Sequence, residues 1–352
     1  MDELKERFQA LDDLEFTKTE QDFFERQPGP PIRDRPSPGR RGAVILLALV
    51  IAAAGVDLTV RAFRDNTGPI PIASRANGPV AFKPFGHTGE IWLLDPSASA
   101  PTLLATLPGA SQLAWSPLGT RLAVVATGGI WLVAPGEDPV LVYPCSKSCP
   151  NRFPYPAFVS WSPDGSELAF GTRNGTIDIV AADGSGFVRR ISIPGLRIFD
   201  PSWSPDGTRF AFEDANSRSV YTVGRDGTDL RRIADHAGEP AWSPDASQVA
   251  FVDLRFGKLD VVDASGGDER TIFDCGVQCN IPGFPEWSPD GSEILFRSAE
   301  GTTPPPSGGT RVLPQLYVVD VDGSDPHVFP LSDRFRGVGG YSWQAMPERT
   351  GS

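Results

Sequence analysis

The sequence predicts an all-β fold, a six-bladed β-propeller, and a repeated tryptophan phrase is the main reason. The phrase occurs five times, as WSPLG, WSPDG, WSPDG, WSPDA and WSPDG, beginning at Trp115, Trp161, Trp203, Trp242 and Trp287. A sixth tryptophan, Trp343, follows near the end of the chain. The successive intervals of 46, 42, 39, 45 and 56 residues are close to the length of one four-stranded propeller blade.

Each repeat contains the signals of four strands. After Trp161 the chain runs through Glu167–Gly171, Thr176–Val180 and Phe187–Ile191, which are alternating apolar segments separated by turn residues. Proline, aspartate and glycine of the phrase suit successive positions of a type I turn, so the aspartates are predicted to form turns. A metal or ligand role for these aspartates is the alternative. The tryptophan is predicted to fill the wedge between neighbouring blades.

Residues 79–346 are predicted to form the propeller, and its first blade is incomplete. Val80–Leu107 supplies three strands, of which Glu90–Asp95 is the clearest, but no innermost strand. Tyr341–Ala345 arrives last with no blade after it, so it is predicted to complete the first blade. Such closure leaves no open sheet edge.

The five phrases resemble the WD40-like repeat of the TolB propeller family. The resemblance covers roughly residues 78 to 346. It implies six blades, an extracytoplasmic location and a partner that is another envelope protein or an envelope polymer. A fold supports many activities, so the resemblance says much less about function.

Composition and motifs argue against several functions. The net charge of −12 opposes binding to nucleic acid, which requires a basic surface. The chain has no nucleophile elbow, P-loop or dinucleotide-binding glycine motif. We therefore expect no enzyme activity, no cofactor and no metal.

One apolar segment is predicted to cross a membrane. Residues 42–56 carry no charge, and extension to residue 63 gives a helix long enough for the hydrocarbon core. Five arginines lie just before the segment, at 26, 33, 35, 40 and 41, and two lie just after residue 56, at 61 and 64. The positive-inside rule therefore places residues 1–41 in the cytoplasm. Residues 64–78 then form a linker, the propeller lies outside the cytoplasmic membrane, and residues 347–352 form a tail. A cleaved signal peptide is one alternative, because Ala52–Ala54 resembles a cleavage site, and a buried core helix is the other.

The first 25 residues contain a weak amphipathic pattern. Leu4, Phe8 and Leu11 recur at near-helical spacing. A short helix that docks a cytoplasmic partner is one interpretation, and a partly disordered tail is the other.

The four cysteines form two pairs of equal spacing, Cys145 with Cys149 and Cys275 with Cys279. An even count in an extracytoplasmic domain predicts two local disulfides. Zinc binding, free thiols and cross-pairing are the alternatives, and zinc is disfavoured because the two pairs belong to blades on opposite sides of the wheel.

Sequence irregularity is concentrated on one face of the predicted wheel. This irregular face receives the loops from second to third strand and from blade to blade, whereas the WSPDG turns lie on the opposite face. Arginines and aromatic residues, which are favoured at interface hot spots, occur in its loops. The candidate binding residues are Arg152, Phe153, Tyr155, Arg197, Phe199, Arg255, Phe256, Arg334, Phe335 and Arg336. Sealing of the blade ends is the alternative role for the aromatic residues.

These observations predict a non-enzymatic binding or scaffolding propeller that is anchored in the cytoplasmic membrane. Two other functions stay open. The first is a transmembrane sensor that signals through the N-terminal tail. The second is a calcium-dependent hydrolase with carboxylates in the central channel, although the repeats do not reveal a ring of acids.

Overall fold

The computed structural model describes the propeller as 24 strands in six antiparallel four-stranded sheets. The described residues are 75–95, 98, 100–144, 158–172, 174–274, 276, 279–300, 314–331, 335 and 337–347. The predicted cytoplasmic tail (1–41), the membrane segment (42–63), residues 64–74 of the predicted linker (64–78) and residues 348–352 of the predicted C-terminal tail (347–352) lie outside them. Residues 75–78 belong to the first strand and Pro347 ends the last one, so the propeller extends past the predicted bounds of 79–346 at both ends. Within the described part of the chain, no helix is long and apolar enough to cross a membrane.

The strands follow one another through the blades in chain order. Blades one to three contain β1 (Arg75–Pro84), β2 (Glu90–Leu94), β3 (Thr102–Thr106), β4 (Gln112–Trp115), β5 (Leu122–Ala126), β6 (Gly129–Val133), β7 (Val140–Pro144), β8 (Val159–Trp161), β9 (Glu167–Gly171), β10 (Ile177–Ala181) and β11 (Phe187–Ile191). Blades four to six contain β12 (Ile198–Trp203), β13 (Arg209–Asp214), β14 (Ser219–Gly224), β15 (Arg231–Asp235), β16 (Ala237–Trp242), β17 (Gln248–Asp253), β18 (Lys258–Asp263), β19 (Arg270–Phe273), β20 (Cys279–Trp287), β21 (Glu293–Glu300), β22 (Gln315–Asp320) and β23 (His327–Val328). The last strand is β24 (Val338–Pro347).

The ends of the strand series close the wheel. The first sheet has the order β24-β1-β2-β3, so the last strand provides the innermost strand of the first blade. Trp343 pairs with Val80 in this sheet, as Trp203 pairs with Phe210 in the fourth. The prediction of six blades closed by both ends of the chain is confirmed.

The hydrophobic core is divided among the blade interfaces. Each of the six clusters of buried apolar side chains in the described residues draws on two neighbouring blades. The cluster between the fourth and fifth blades, for example, packs Val220 and Ile233 against Trp242 and Phe251. Burial of apolar surface, which drives folding, therefore holds each blade to the next.

The WSPDG aspartates form turns, as predicted. In the copy at Trp161 the amide of Gly165 donates to the carbonyl of Ser162 at 2.9 Å. Asp164 accepts hydrogen bonds from the Ser162 hydroxyl at 2.6 Å and from the Ser166 amide at 3.1 Å. Partial burial acts to raise the pKa of Asp164, but these hydrogen bonds outweigh it and lower the pKa. The same bonds recur at the aspartates of the three following copies, Asp206, Asp245 and Asp290.

The repeated tryptophans also link the blades by hydrogen bonds. The indole of Trp161 donates to the carbonyl of Ala114 at 2.9 Å, and that of Trp242 donates to Ser202 at 3.2 Å. In both pairs the acceptor immediately precedes the tryptophan of the previous blade. The indole nitrogen of Trp115 is buried without a hydrogen-bond partner.

This difference allows the interblade hydrogen bond to be measured. We expect Trp242→Phe to lower the free energy of unfolding by about 1 kcal/mol more than Trp115→Phe, because only Trp242 loses a hydrogen bond. Both side chains are 7 % exposed, so the loss of apolar contact is similar. Chemical denaturation of the full chain is the measurement, and equal losses in the two variants would contradict the assignment.

Candidate functional site

A central channel runs between the innermost strands of the six blades. It contains a cavity of about 310 Å³. Tryptophans and prolines of the repeated phrases line one part of the cavity, and the residues that precede each tryptophan line the rest. The innermost strands enter from the irregular face, so residues well before the tryptophan lie nearer to that face.

One position of the innermost strand varies in residue type from blade to blade. This channel position is the third residue before each tryptophan, and its occupants from the first to the sixth blade are Gly340, Gln112, Phe158, Asp200, Glu239 and Phe284. In the last three blades the residue is followed by proline, and its φ is positive, at 50°, 54° and 57°. The strand pairing shifts register at the same places. Proline cannot donate to the ladder, so the strand bulges there and presents the preceding side chain to the axis.

Three carboxylates meet near the irregular end of the channel. Asp200 and Glu239 occupy the channel position of the fourth and fifth blades, and Glu213 reaches them from β13, where it pairs with Phe199. A side chain at Gly238 would begin 2.4 Å from Oε2 of Glu213, so the absence of a side chain at that glycine leaves room for the carboxylate.

Burial shifts the protonation of these acids. It raises the pKa of Glu213 to about 7, with a further contribution from Glu239. It raises the pKa of Glu239 to about 7, although the Phe284 amide and Arg297 act in the opposite direction. Burial also raises the pKa of Asp200 well above its ordinary value, and Glu213 and Glu239 add to the shift. Asp200 and Glu239 line the cavity, all three acidic residues are half-buried, and partial removal from water disfavours the charged form of each carboxylate.

A cationic and aromatic group lies on the adjoining side of the channel. The guanidinium of Arg297 is 4.4 Å from the centre of the Phe284 ring and donates to the carbonyl of Gly339 at 3.1 Å. The Phe284 amide donates to Oε2 of Glu239 at 2.5 Å. Arg297 is therefore held by neighbours on the sixth and first blades.

Glu286 belongs to the closure of the wheel. Its Oε1 accepts hydrogen bonds from the Ser342 hydroxyl at 2.9 Å and from the Trp343 amide at 2.8 Å. The Ser342 hydroxyl in turn accepts the Trp115 amide at 2.9 Å. Burial raises the pKa of Glu286 to about 8, against the effect of these donors.

Two of the predicted binding loops are held by buried aspartates. Asp214 Oδ1 accepts the Arg197 amide at 2.8 Å, and Asp253 Oδ1 accepts the Arg255 amide at 2.7 Å. The Phe256 side chain is 64 % exposed. The strand pattern places both loops at the irregular face, because Asp214 and Asp253 end the second strands of their blades.

The other predicted binding residues are either packed against neighbouring side chains or lie outside the described residues. Arg197 lies with its guanidinium 5.3 Å from the centre of the half-buried Phe199 ring. Phe335 is only 3 % exposed and packs on Phe82 and Trp92, which is the sealing role rather than an exposed one. Arg152, Phe153, Tyr155, Arg334 and Arg336 lie outside the described residues, as do Cys145, Cys149 and Cys275, and the structure gives no side-chain description of Cys279.

The sequence analysis did not predict that Asp200, Glu213 and Glu239 come together in the channel. An alignment of the repeats with one another indicates part of this arrangement. Superposing the repeats on their tryptophans places Asp200 and Glu239 at one position, each before a proline. Glu213 comes from the second strand, and only the pairing of β13 with β12 brings it to them. No group of three His, Cys, Asp or Glu side chains within the described ranges is arranged to hold a metal ion.

The fold and the channel together define a six-bladed β-propeller with carboxylates at one end of its axis. No family model and no curated protein matches the chain. Among solved structures, a protein assigned as TolB from Agrobacterium tumefaciens is similar, with a TM-score of 0.55 and 18% identity over 79% of this chain and 100% of that one. A chain in the crystal structure of a nidogen/laminin complex has a TM-score of 0.58 and 15% identity over 76% and 98%. At these identities the likeness supports the propeller fold alone.

Stability is predicted to fall as the pH rises through the pKa values of the channel glutamates. Their folded pKa values, about 7 for Glu213 and Glu239 and about 8 for Glu286, exceed the ordinary value of 4.5. At pH values between the ordinary pKa and the raised pKa, these glutamates bind more protons in the folded chain than in the unfolded chain. The free energy of unfolding therefore decreases from about pH 5 to about pH 8.5. Thermal unfolding of the full chain across this range measures the trend.

The variant Glu286→Gln tests the contribution of one group. Its amide oxygen can still accept both hydrogen bonds, and it cannot ionise, so we expect a gain on the order of 2 kcal/mol over the natural chain at about pH 8.5 and little change at about pH 5. Glu137→Gln, at an exposed position, is the control and should follow the natural chain. A Glu286→Gln chain that is less stable at the higher pH would refute the explanation.

Proposed function

We propose that the chain is a non-enzymatic binding or scaffolding propeller, anchored in the cytoplasmic membrane by residues 42–63 and displayed outside it. In this proposal an envelope protein or an envelope polymer binds the irregular face. The exposed Phe256 ring, which lies close to two cationic side chains, is the observation that supports this function best.

The Phe256 loop has the properties of an interface anchor. Its backbone is fixed by Asp253, which accepts the amides of Arg255 and Phe256. The Arg255 guanidinium lies 5.4 Å from the centre of the Phe256 ring, and the Lys258 ammonium lies 5.8 Å from it. Lys258 is paired with Asp274 at 2.8 Å. A large apolar ring on a preorganised loop loses little conformational entropy on binding.

The solved structures add general support for a protein partner. The nidogen/laminin structure contains a similar chain in a complex of two proteins, and the TolB protein shares the propeller fold. Neither identifies a ligand of this chain. The resemblance of the repeats to TolB propellers favours a partner in the cell envelope.

The channel acids favour the hydrolase alternative to a limited extent. Glu213 and Glu239, with pKa values of about 7, lie in the range suited to general acid or base catalysis. The sensor alternative depends on residues 1–25, which lie outside the described residues.

Crosslinking in intact cells tests the proposed surface. A photo-crosslinking residue at position 256 of the full chain is expected to give a discrete adduct with an envelope component, because Phe256 lies in the contact. The same residue at position 187 is the control, since Phe187 is 55 % exposed but lies on β11, the outermost strand of the third blade.

Substitution of Phe256 measures how much this side chain contributes to binding. Phe256→Ala is expected to weaken capture of that component by roughly 30-fold, which corresponds to a loss of about 2 kcal/mol at an interface hot spot, whereas Phe187→Ala leaves it unchanged. Equal crosslinking from both positions, or full capture by Phe256→Ala, would move the binding site away from this loop.

A further inference from the structure

The carboxylates at the irregular end of the channel carry more negative charge than their protein neighbours balance. We propose that this end of the channel binds an alkylammonium group, carried either by a small free amine or by a lysine side chain of a bound protein. The site is separate from the Phe256 surface and does not rest on it.

Asp200 is the central observation. It is half-buried and lines the cavity. No described residue donates a hydrogen bond to its carboxylate. The charged groups that affect its pKa are two further acids, Glu213 and Glu239, and both raise it. A carboxylate partly removed from water and without a hydrogen-bond donor is costly, and a ligand in the cavity that Asp200 lines can supply that donor.

The neighbouring cations are already engaged or act elsewhere. Arg297 acts on Glu239 and is held by the Phe284 ring and the Gly339 carbonyl. Arg218 acts on Glu213. Neither arginine is among the groups that influence Asp200. Asp200 is therefore the acid of this cluster that has no cationic partner among the described residues.

The walls of the cavity favour an organic cation. The rings of Phe158 and Phe284 lie 5.0 Å apart and both line the cavity. Aromatic faces attract ammonium groups, and Pro201 and Pro240 on the same wall provide apolar surface for an alkyl chain. The described side chains do not include a three-ligand group suited to a metal ion, which separates this proposal from a calcium site.

Protonation is coupled to such binding. Because burial raises the pKa values of the three acids, part of the cluster is protonated at neutral pH. An ammonium ion stabilises the ionised carboxylates, so its binding releases protons. A neutral ligand of the same shape has no such effect.

The experiment uses the full chain and n-butylammonium chloride, with n-butanol and sodium chloride at matched concentration as controls. Isothermal titration in two buffers of different ionisation enthalpy measures affinity and proton release. We expect saturable binding of butylammonium, with proton release, and none of n-butanol. Asp200→Asn should weaken the affinity at least tenfold, because the amide cannot ionise.

Two further variants control for folding. Asparagine tolerates positive φ, and Asp268→Asn makes the same change at an exposed position with φ of 49°, so it should bind as the natural chain does. If Asp200→Asn does not fold, Glu213→Gln takes its place with the same expectation.

Several results would overturn the proposal. These are equal binding of n-butanol, undiminished affinity in Asp200→Asn, or calcium chloride binding more tightly than butylammonium in an Asp200-dependent manner. Nα-acetyl-lysinamide distinguishes the two sources of the ammonium group, a small free amine and a lysine side chain of a bound protein. If it binds as tightly as butylammonium, the channel mouth admits a lysine of a protein, and if only butylammonium binds, the ligand is a small amine.

Discussion

Closure of the wheel is the constraint on which the rest of this structure depends. β24 completes the first blade, and a short chain of hydrogen bonds fixes it between its neighbours. The Trp115 amide donates to the Ser342 hydroxyl, and that hydroxyl donates to Glu286. Three blades therefore meet at one serine. The hydrophobic cluster between the first and sixth blades includes Val338, Tyr341 and Trp343 of β24, so a wheel without this strand would expose apolar surface at that interface.

Closure also creates the chemical environment of the channel. Six innermost strands surround one axis, and the bulges before Pro201 and Pro240 direct Asp200 and Glu239 into the cavity between the strands. The raised pKa values follow from the desolvation. The two recognition surfaces that we propose are thus distinct, an acidic one on the axis and an exposed aromatic one at Phe256.

The sequence was sufficient for the architecture because the repeat is local. Tryptophan, proline, aspartate and glycine each have a role within a few residues of the turn, as the hydrogen bonds of Asp164 demonstrate. The channel acids depend on pairing between strands, so Glu213 gave no signal along the chain. The exposure of a side chain also depends on contacts with residues distant in the sequence. Phe256 and Phe335 are both aromatic loop residues next to arginines, but tertiary packing buries only Phe335. The membrane segment and the cysteine pairs remain predictions.

The most direct test of this account is an infrared titration of the carboxyl groups of the full chain, because it detects protonated carboxylic acids separately from carboxylates. Desolvation by the closed wheel predicts that protonated carboxyl groups persist at about pH 6 and ionise as the pH passes 7 to 8. Their signal should diminish in Glu239→Gln and in Glu286→Gln. Complete ionisation by about pH 5.5 would contradict the claim that the closed wheel desolvates these acids.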